Sequence, residues 1–478
     1  MSQPLQTLVL LTVVFSAFLL FALNSDIFYS CFSPNLSRNN EHPDFKRYRD
    51  IRVLASEEFP IDDPDRRVII VGDIHGMHKP FKRLLEEAAY NEEKDILVHA
   101  GDTVAKGSHK GSLAIIDYLT RHNITGVRGN HDQKVIEWKG WQDWFATLPG
   151  GNDWLSDLHS HWEKAEVKGK KLKKWVKNRR NESRGEDAKW WSLIPKQWIP
   201  FGDHYQIAKD LTDEQYSYFL SLPLKLHIPS AHAFIVHAGL LPYDLQYDFD
   251  DHKRQPLARA PRIRADISRF NQGNIDAMRT LQERSVLQRV PHNTDPWVNL
   301  NVRSVVKDRD LSSSAHKGVP WADYWNGQMS MCAGFRSERA IQIQSDAQIQ
   351  LGVSKTKELP CHPFSVIYGH CASRGLDIDR WTFGLDSGCV AGKKLTAMIL
   401  GPNSSLSLSD VEDDDDTDQS GLDGHRDDDH FDGASVLDED HEGNDAIKSA
   451  SPLKRERTIQ FGEDGTAKIV QVSCKGQH

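Results

Sequence analysis

The chain has 478 residues and a formal net charge of −9, and it is long enough for one large folded domain with insertions. Its six cysteines show no C-x-x-C spacing, which excludes a thiolate zinc site and predicts no disulfide framework. The charge is uneven, because residues 410–445 hold 17 acidic side chains against one arginine. Without that segment the chain carries a net charge of +7, which suits an anionic substrate.

The N-terminal segment is the first feature in chain order. Residues 5–23 carry no charge, and 19 helical residues nearly cross a bilayer core of about 30 Å. We therefore predict an uncleaved membrane anchor in residues 1–25 and a polar stalk in residues 26–65; a cleaved signal peptide is the alternative. Sequons at Asn35, Asn123, Asn181 and Asn403 are compatible with a lumenal catalytic domain.

Short β-branched runs then alternate with helical patterns. Strands are predicted at 68–73, 95–102 and 124–132, with helices at 81–90 and 112–121 between them. This β-α-β-α-β order predicts an α/β fold with a mostly parallel region. Two later runs, at 233–239 and 365–370, are predicted as further buried strands.

Two segments interrupt the domain that we place at residues 66–400. Residues 138–200 are rich in tryptophan, and the run at 163–184 holds ten Lys or Arg against three Glu. That run is either a solvated face or an anion-collecting surface. Residues 401–460 are acidic and are predicted to form a disordered insertion between paired strands at 394–400 and 467–473, with 461–478 returning to the domain.

Polar turns follow the predicted strands, and their side chains are potential metal ligands. They are Asp73, His75, Asp102, Asn130, His237 and His370. Because strand ends in an α/β sheet converge on one edge, we expect these groups to meet there. Carboxylate, imidazole and amide ligands suit Zn²⁺, Mn²⁺ or Fe. His99 and His232 are expected to be structural.

Five motifs in order, GDIHG (72–76), GDTVAKG (101–107), RGNHD (128–132), VHAG (236–239) and GH ending at His370, resemble the calcineurin-like metallophosphoesterase superfamily, in its phosphoprotein-phosphatase arm. The resemblance implies a four-layer α/β/β/α sandwich, here with an N-terminal membrane anchor. It also implies two divalent metal ions, zinc first, with manganese, iron or cobalt as alternatives.

The resemblance further implies roles for the candidate residues. Asp73 and His75 would hold the first metal, Asp102 would bridge both, and Asn130, His237 and His370 would complete the second. The two cations would clamp a phosphoryl group and acidify the water that attacks it. His131 would protonate the leaving oxygen, and the substrate phosphates would be bound by Arg128, Lys106 and Arg303.

One departure narrows the resemblance. Protein phosphatases carry Asp-Arg where this chain has Ala105-Lys106, so the aspartate that orients the equivalent of His131 is absent. The Lys-Gly form with GNHD resembles the diadenosine-tetraphosphatase-like branch, and the anchored, insertion-bearing arrangement resembles the zinc-dependent endopolyphosphatases of the fungal vacuole. The resemblance implies cleavage of inorganic polyphosphate by a type II single-pass protein of the vacuole membrane. The alternatives are a dinucleoside-polyphosphate or cap pyrophosphohydrolase and a serine/threonine phosphoprotein phosphatase; no specific nucleic-acid module accompanies the site.

Overall fold

The computed structural model describes residues 43–261, 272–335, 358–401 and 457–476, without the side chains of residues 272 and 273. The predicted anchor at residues 5–23 and most of the acidic segment lie outside these ranges. Within them, no helix is both long and apolar enough to cross a membrane.

Fifteen strands and eleven α-helices are assigned in the described ranges. The strands are β1 (Arg49–Val53), β2 (Val68–Val71), β3 (Ile96–His99), β4 (Thr125–Gly126), β5 (Pro223–Ile228), β6 (Ala233–Val236), β7 (Ser304–Val305), β8 (Leu311–Ser312), β9 (Val319–Pro320), β10 (Ser365–Tyr368), β11 (Asp377–Ile378), β12 (Thr382–Gly384), β13 (Lys394–Leu400), β14 (Arg457–Phe461) and β15 (Gly465–Ser473). The helices are α1 (His78–Glu87), α2 (His109–Arg121), α3 (Asn130–Phe145), α4 (Gly151–Glu166), α5 (Leu172–Glu182), α6 (Gly185–Ser192), α7 (Asp203–Asp210), α8 (Asp213–Ser221), α9 (Gln272–Arg289), α10 (Pro296–Asn301) and α11 (Trp321–Met329).

The strands form two six-stranded sheets and one small sheet. The first sheet has the order β1-β5-β6-β10-β12-β11 and the second the order β14-β15-β13-β2-β3-β4. Strands β2, β3 and β4 run parallel, as the β-α-β-α-β pattern predicts. In the first sheet β10 runs parallel to both of its neighbours, β6 and β12. The mixed α/β fold predicted from the sequence is therefore confirmed.

The two large sheets pack face to face over a common apolar core. One cluster of buried side chains joins Val68 and Ile70 of β2 to Leu226 of β5, Ile235 of β6 and Ile367 of β10. A period of two explains the selection, because alternate residues of a strand point to the same face. The strands β2, β6 and β10 thereby bring their C-terminal ends into one region.

Helices cover the outer faces of both sheets. The opposite face of the first sheet, including Phe234 and Tyr368, packs against Trp321 and Trp325 of α11. On the second sheet, α1 contacts β13 and β15. These helices complete four layers in the order α/β/β/α.

The chain divides into two compact units by its internal contacts. The first comprises residues 43–45 and 140–200, and the second comprises residues 46–139 and the described residues from 201 onward. Within the first unit, helices α4 to α6 are joined by aromatic side chains. The ring of Trp154 stacks on Trp190 at 6.0 Å and meets Trp191 edge-on at 5.6 Å, and the guanidinium of Arg180 lies over Trp191.

Two boundaries predicted from composition are wrong. Strand β1 lies inside the segment 26–65 that we assigned to a stalk, and it pairs in parallel with β5. Strand β14 begins at Arg457, inside the predicted acidic insertion, and pairs with β15. Both strands carry mostly polar residues that are exposed or half-buried, so a composition-based boundary misses them. The pairing of β13 with β15 on either side of the insertion is confirmed.

The expectation of no disulfide framework is also wrong, because four of the six cysteines are paired. Cys332 is bonded to Cys361, and Cys389 is bonded to Cys474. The second bond ties the end of β15 to the turn before β13, across a sequence separation of 85 residues. The paired cysteines are scattered in sequence because the segments that carry them are brought together only by the fold.

The Cys389–Cys474 bond should contribute more to stability than the other. Loop-closure entropy gives a typical stabilisation of about 2–4 kcal/mol. We expect Cys389→Ser/Cys474→Ser to lower the free energy of unfolding by that amount in denaturant titrations. The Cys332→Ser/Cys361→Ser pair, with a separation of 29 residues, is the matched control and should cost about 1 kcal/mol less. A larger loss in the control pair would contradict the loop-length argument.

Candidate metal centre

The six predicted ligands meet at the ends of strands from both large sheets. Asp73 and His75 follow β2, Asp102 follows β3, Asn130 opens α3, His237 follows β6 and His370 follows β10. They supply two groups whose ligand atoms lie within 4.8 Å of one another, Asp73–His75–Asp102 and Asp102–His237–His370. Asp102 belongs to both groups, so the arrangement has two centres with one shared carboxylate.

The first group is spaced for a shared cation rather than for hydrogen bonds. Nε2 of His75 lies 3.8 Å from Oδ2 of Asp73 and 3.7 Å from Oδ2 of Asp102, both too long for a hydrogen bond. All three side chains are buried. A cation seated between these atoms would supply the attraction that the separations do not provide directly.

The second group is oriented by protein carbonyls. Nδ1 of His237 lies 3.0 Å from the carbonyl oxygen of Ala100, and Nε2 of His370 lies 3.2 Å from that of Asn301. A carbonyl accepts only, so each of these nitrogens carries the ring proton. The opposite nitrogens, Nε2 of His237 and Nδ1 of His370, each lie 3.1 Å from Oδ1 of Asn130.

This commitment of the ring protons favours a cation at the second centre. Burial lowers the pKa of His370 well below its usual value, so its ring is neutral at pH 7. Its Nδ1 then presents a lone pair to the amide oxygen of Asn130, a contact that a cation between the two atoms would make favourable. The carbonyl partners correspond to the outer contacts that orient histidine ligands in metal sites.

Backbone strain is concentrated at the ligands. His75, Asp102 and His370 all have positive φ, at 48°, 48° and 72°. Left-handed backbone costs a non-glycine residue roughly 1 kcal/mol or more, and it persists where function requires the geometry. The adjacent glycines permit close approach, since a Cβ at Gly129 would lie 2.1 Å from Oδ1 of Asp102, and one at Gly369 would lie 1.9 Å from Oδ1 of Asp73.

Uncompensated negative charge also points to cations. Burial raises the pKa of Asp73 well above its usual value, and the carboxylates of Asp386 and Asp102 add to the rise. Asp386 is itself buried, on the turn after β12. Buried carboxylates are stable when they are paired or coordinate metals. The donor set and the spacing therefore fit divalent metal ions.

The predicted proton donor, His131, lies beside this centre. Its backbone N–H donates to Oδ1 of Asp102 at 2.8 Å, and its ring meets that of His75 edge-on at 5.2 Å. Burial lowers the pKa of His131 well below its usual value, against the opposing charge of Asp102. The next residue, Asp132, accepts from the N–H of Thr103 and of Gly129, and so joins the two turns that carry Asp102 and Asn130.

Two of the three predicted phosphate-binding residues lie at the centre. Lys106 is exposed, and its ammonium contributes to the lowered pKa of His131, which burial mainly causes. Arg303 is half-buried and donates from Nη2 to the carbonyl of His370 at 3.1 Å and from Nη1 to that of Ser313 at 2.7 Å. The charged groups of Lys106 and Arg303 are therefore close enough to influence the pKa values of the candidate ligands.

The predicted role of Arg128 in binding substrate is wrong. Its side chain is fully buried, and Nη2 donates to the carbonyls of Phe219 and Leu220 at 3.1 and 3.0 Å. Nη1 donates to the carbonyl of Arg47 and to Oε1 of Gln133. The guanidinium is thus used to hold the end of α8 and the segment before β1, and none of its terminal nitrogens is left for a phosphate.

The two histidines that we expected to be structural have structural partners. Nε2 of His99 lies 3.0 Å from the hydroxyl of Tyr218, which donates to the carbonyl of Ile124. Nδ1 of His232 lies 2.7 Å from Glu283.

The sequence analysis missed one acidic residue of the site, Asp386. It follows a strand and stands between two glycines in GLDSG (384–388), a pattern that could have identified it.

A comparison with known families gives the fold and site a context. Residues 66–221 match the family described as Calcineurin-like phosphoesterase. This part of the chain resembles that family. The match covers Asp73, His75, Asp102, Asn130 and His131, and the family implies a metal-dependent phosphohydrolase that uses divalent metals.

Similar proteins include two groups of phosphohydrolases. The chain is 33% identical over 93 residues to serine/threonine-protein phosphatase 1 of Salmonella typhimurium, covering 20% of this chain and 42% of that protein. It is 42% identical over 71 residues to the symmetrical bis(5'-nucleosyl)-tetraphosphatase of Buchnera aphidicola, covering 14% of this chain and 25% of that protein. The matches therefore span less than half of these relatives.

Among solved structures, a protein serine/threonine phosphatase from Saccharomyces cerevisiae has a TM-score of 0.29 at 13% identity, over 77% of this chain and 82% of that one. A likeness of this level says nothing about substrate. The substrate must be inferred from the site itself.

The corrected role of Arg128 can be tested against Lys106. Arg128→Met should lower the free energy of unfolding by at least about 2 kcal/mol, because it leaves buried carbonyls without donors. The dissociation constant of the folded, metal-loaded protein for inorganic phosphate should change less than about twofold. Lys106→Met should do the reverse, with stability within about 0.5 kcal/mol of the parent and weaker phosphate binding. A stable Arg128→Met protein with weakened phosphate binding would restore the original assignment.

Proposed function

We propose that this protein is a two-metal phosphohydrolase that cleaves phosphoanhydride bonds, with inorganic polyphosphate as its substrate. The observation that carries the proposal is the pair of ligand groups that share Asp102. Asp73 and His75 would complete one metal site, and Asn130, His237 and His370 the other. When bound, two divalent cations would hold a phosphoryl group and lower the pKa of an attacking water.

The protein's own side chains supply the rest of the chemistry. His131 would give a proton to the oxygen that leaves phosphorus, and its backbone N–H holds this residue against the shared carboxylate. Lys106 offers an exposed ammonium to the phosphate oxygens, and Arg303 offers the donors that His370 and Ser313 leave unused. The aromatic contact with His75 keeps the ring of His131 against the ligands.

Two features favour polyphosphate over a single phosphomonoester. Lysine is a point charge on a flexible stem, whereas arginine is a planar fork, so Lys106 suits a chain of equivalent phosphates. In the unit that contains residues 140–200, the basic run at 163–184 presents exposed side chains of Lys168, Lys170, Lys174 and Lys177. Such a surface attracts long polyanions more than short ones.

The two rival substrates each have an observation in their favour. The tetraphosphatase of Buchnera aphidicola is the more similar relative by identity, which favours a dinucleoside polyphosphate. The phosphatase of Salmonella typhimurium favours a phosphoprotein. All three substrates would use the same metal centre, so a comparison of rates distinguishes them.

The location that we propose is a lumenal, oxidising compartment, with the protein anchored through residues 5–23 in the vacuole membrane as a type II protein. Two disulfides support such a compartment, because disulfides persist where thiols are not kept reduced. The sequon residues Asn123 and Asn181 are exposed, which is compatible with glycosylation in the lumen.

The test is a substrate panel with the full-length protein loaded with Zn²⁺, Mn²⁺ or Co²⁺. Phosphate release and chain shortening would be measured on long-chain polyphosphate, diadenosine tetraphosphate and a phosphoserine peptide. We expect kcat/KM for polyphosphate to exceed the other two by at least about tenfold, or about 1.4 kcal/mol in transition-state binding. Asp102→Asn is the control, and it should lose both bound metal and turnover. Preference for another substrate would overturn the polyphosphate proposal. If the metal-loaded protein is inactive on all three substrates, the proposal that it is a phosphohydrolase is overturned.

The basic run gives a second test that depends on substrate length. Four lysines would be replaced together by glutamine: Lys170, Lys171, Lys173 and Lys174. Because exposed charges act over about 8–10 Å, KM for long polyphosphate should rise and its salt dependence should flatten, with kcat little changed. KM for tripolyphosphate should stay the same, because Lys106 and Arg303 remain.

A matched control replaces, again by glutamine, four scattered exposed lysines of the unit that does not contain the basic run. They are Lys94, Lys209, Lys253 and Lys475. It changes the net charge equally and should leave both KM values unchanged. Equal effects of the two variants would show that only net charge matters. An effect of the basic-run variant on tripolyphosphate as large as on long chains would leave the run as a solvated face.

A further inference from the structure

His131 contacts a second histidine that none of the strand-end motifs contains. Nδ1 of His131 lies 2.7 Å from Nε2 of His204. The two rings are inclined by only 20°, with centroids 4.9 Å apart. Two imidazoles joined edge to edge by a hydrogen bond in their common plane have this separation, so the contact is a hydrogen bond that fixes the ring angle of His131.

His204 belongs to a two-residue support at the start of α7. The preceding residue, Asp203, accepts from the backbone N–H of Lys106 through Oδ2 at 2.6 Å. Lys106 and its neighbour Ala105 have positive φ, at 66° and 71°, so the loop that carries the lysine is held in a strained conformation. Successive residues of one helix thus hold the predicted proton donor and the loop of a predicted phosphate ligand.

The protons in this contact can be assigned. A hydrogen bond between two ring nitrogens needs a proton on one of them and a lone pair on the other. Desolvation lowers the pKa of His204 to about 3, so this ring is neutral and its Nε2 can accept when its own proton is on Nδ1. Nδ1 of His131 is then the donor, and the acceptor on His204 holds its N–H.

We propose that His204 is a positioning residue, which holds the ring of His131 so that Nε2 faces the leaving oxygen, and that Asp203 holds the loop of Lys106 beside it. The statement that Nε2 faces a leaving oxygen rests on the proposed function, whereas the hydrogen bond between the two histidines does not. Ala105 offers no side-chain acceptor, so the support comes from a helix about 100 positions later in the chain.

A double-mutant cycle separates this role from a merely structural one. His131→Ala should lower kcat by about 10²–10⁴, and His204→Ala should lower it by at least about tenfold with KM within twofold. In the His131→Ala background, His204→Ala should have no further effect, because it acts only through the missing ring. His204→Gln keeps an acceptor and should retain most of the turnover. All four proteins should bind two metals per chain.

A second readout does not require activity. In ¹⁵N-correlated spectra of the histidine rings, the Nδ1 proton of His131 should be observed in the wild type and in His204→Gln, and should be lost by exchange in His204→Ala. His109→Ala is the matched control, since Nε2 of His109 contacts Asp210 at the other end of α7 at 2.8 Å. That variant should change neither the Nδ1 signal of His131 nor kcat.

Three results would overturn the proposal. They are multiplicative losses in the double mutant, a loss of bound metal in His204→Ala, and an unchanged Nδ1 proton in that variant. If the wild type cleaves none of the three phosphate substrates, the proposed function fails, while the spectra still decide whether His204 holds His131.

Discussion

The crowding of like charges and lone pairs at the strand ends is the constraint on which the rest of the site depends. Asp73, Asp102 and Asp386 are buried within reach of one another's charge. In a medium of low dielectric, buried carboxylates are stable when they are paired, protonated or bound to a cation. The lone pair of the neutral His370 ring that faces Asn130 also fits a cation. The charges and lone pairs at the strand ends therefore fit metal ions whether or not a substrate is bound.

The surrounding fold supplies the rigidity that such a site needs. Ligands come from both large sheets, and the apolar core between the sheets fixes their distance. Asp132 joins the turns after β3 and β4, and the N–H of His370 donates to Asp73 across the two sheets at 3.0 Å. Each contact makes one ligand's position depend on another's. The positive φ values persist because several such contacts determine each turn.

The sequence predicted the parts of the site that lie at strand ends. An apolar run followed by a ligand with a glycine nearby specifies both the strand and the point where it stops, so Asp73, Asp102, His237 and His370 could be placed without coordinates. Where a side chain points is a different matter. Arg128 stands in the same motif as Asn130, yet its direction is set by the carbonyls of Phe219 and Leu220, about 90 residues later. No local pattern contains that information.

The difference between local sequence patterns and contacts made by the fold also explains why His204 and the disulfides were not predicted. His204 follows no strand, and its relevance arises only because α7 packs its first turn against two loops of the centre. The cysteines looked scattered because pairing depends on strand order, and Cys474 reaches Cys389 only after β15 has paired with β13. The strand-end motifs therefore identify the candidate metal ligands. The residues that orient these candidate ligands and His131 come from elements whose positions the fold alone determines.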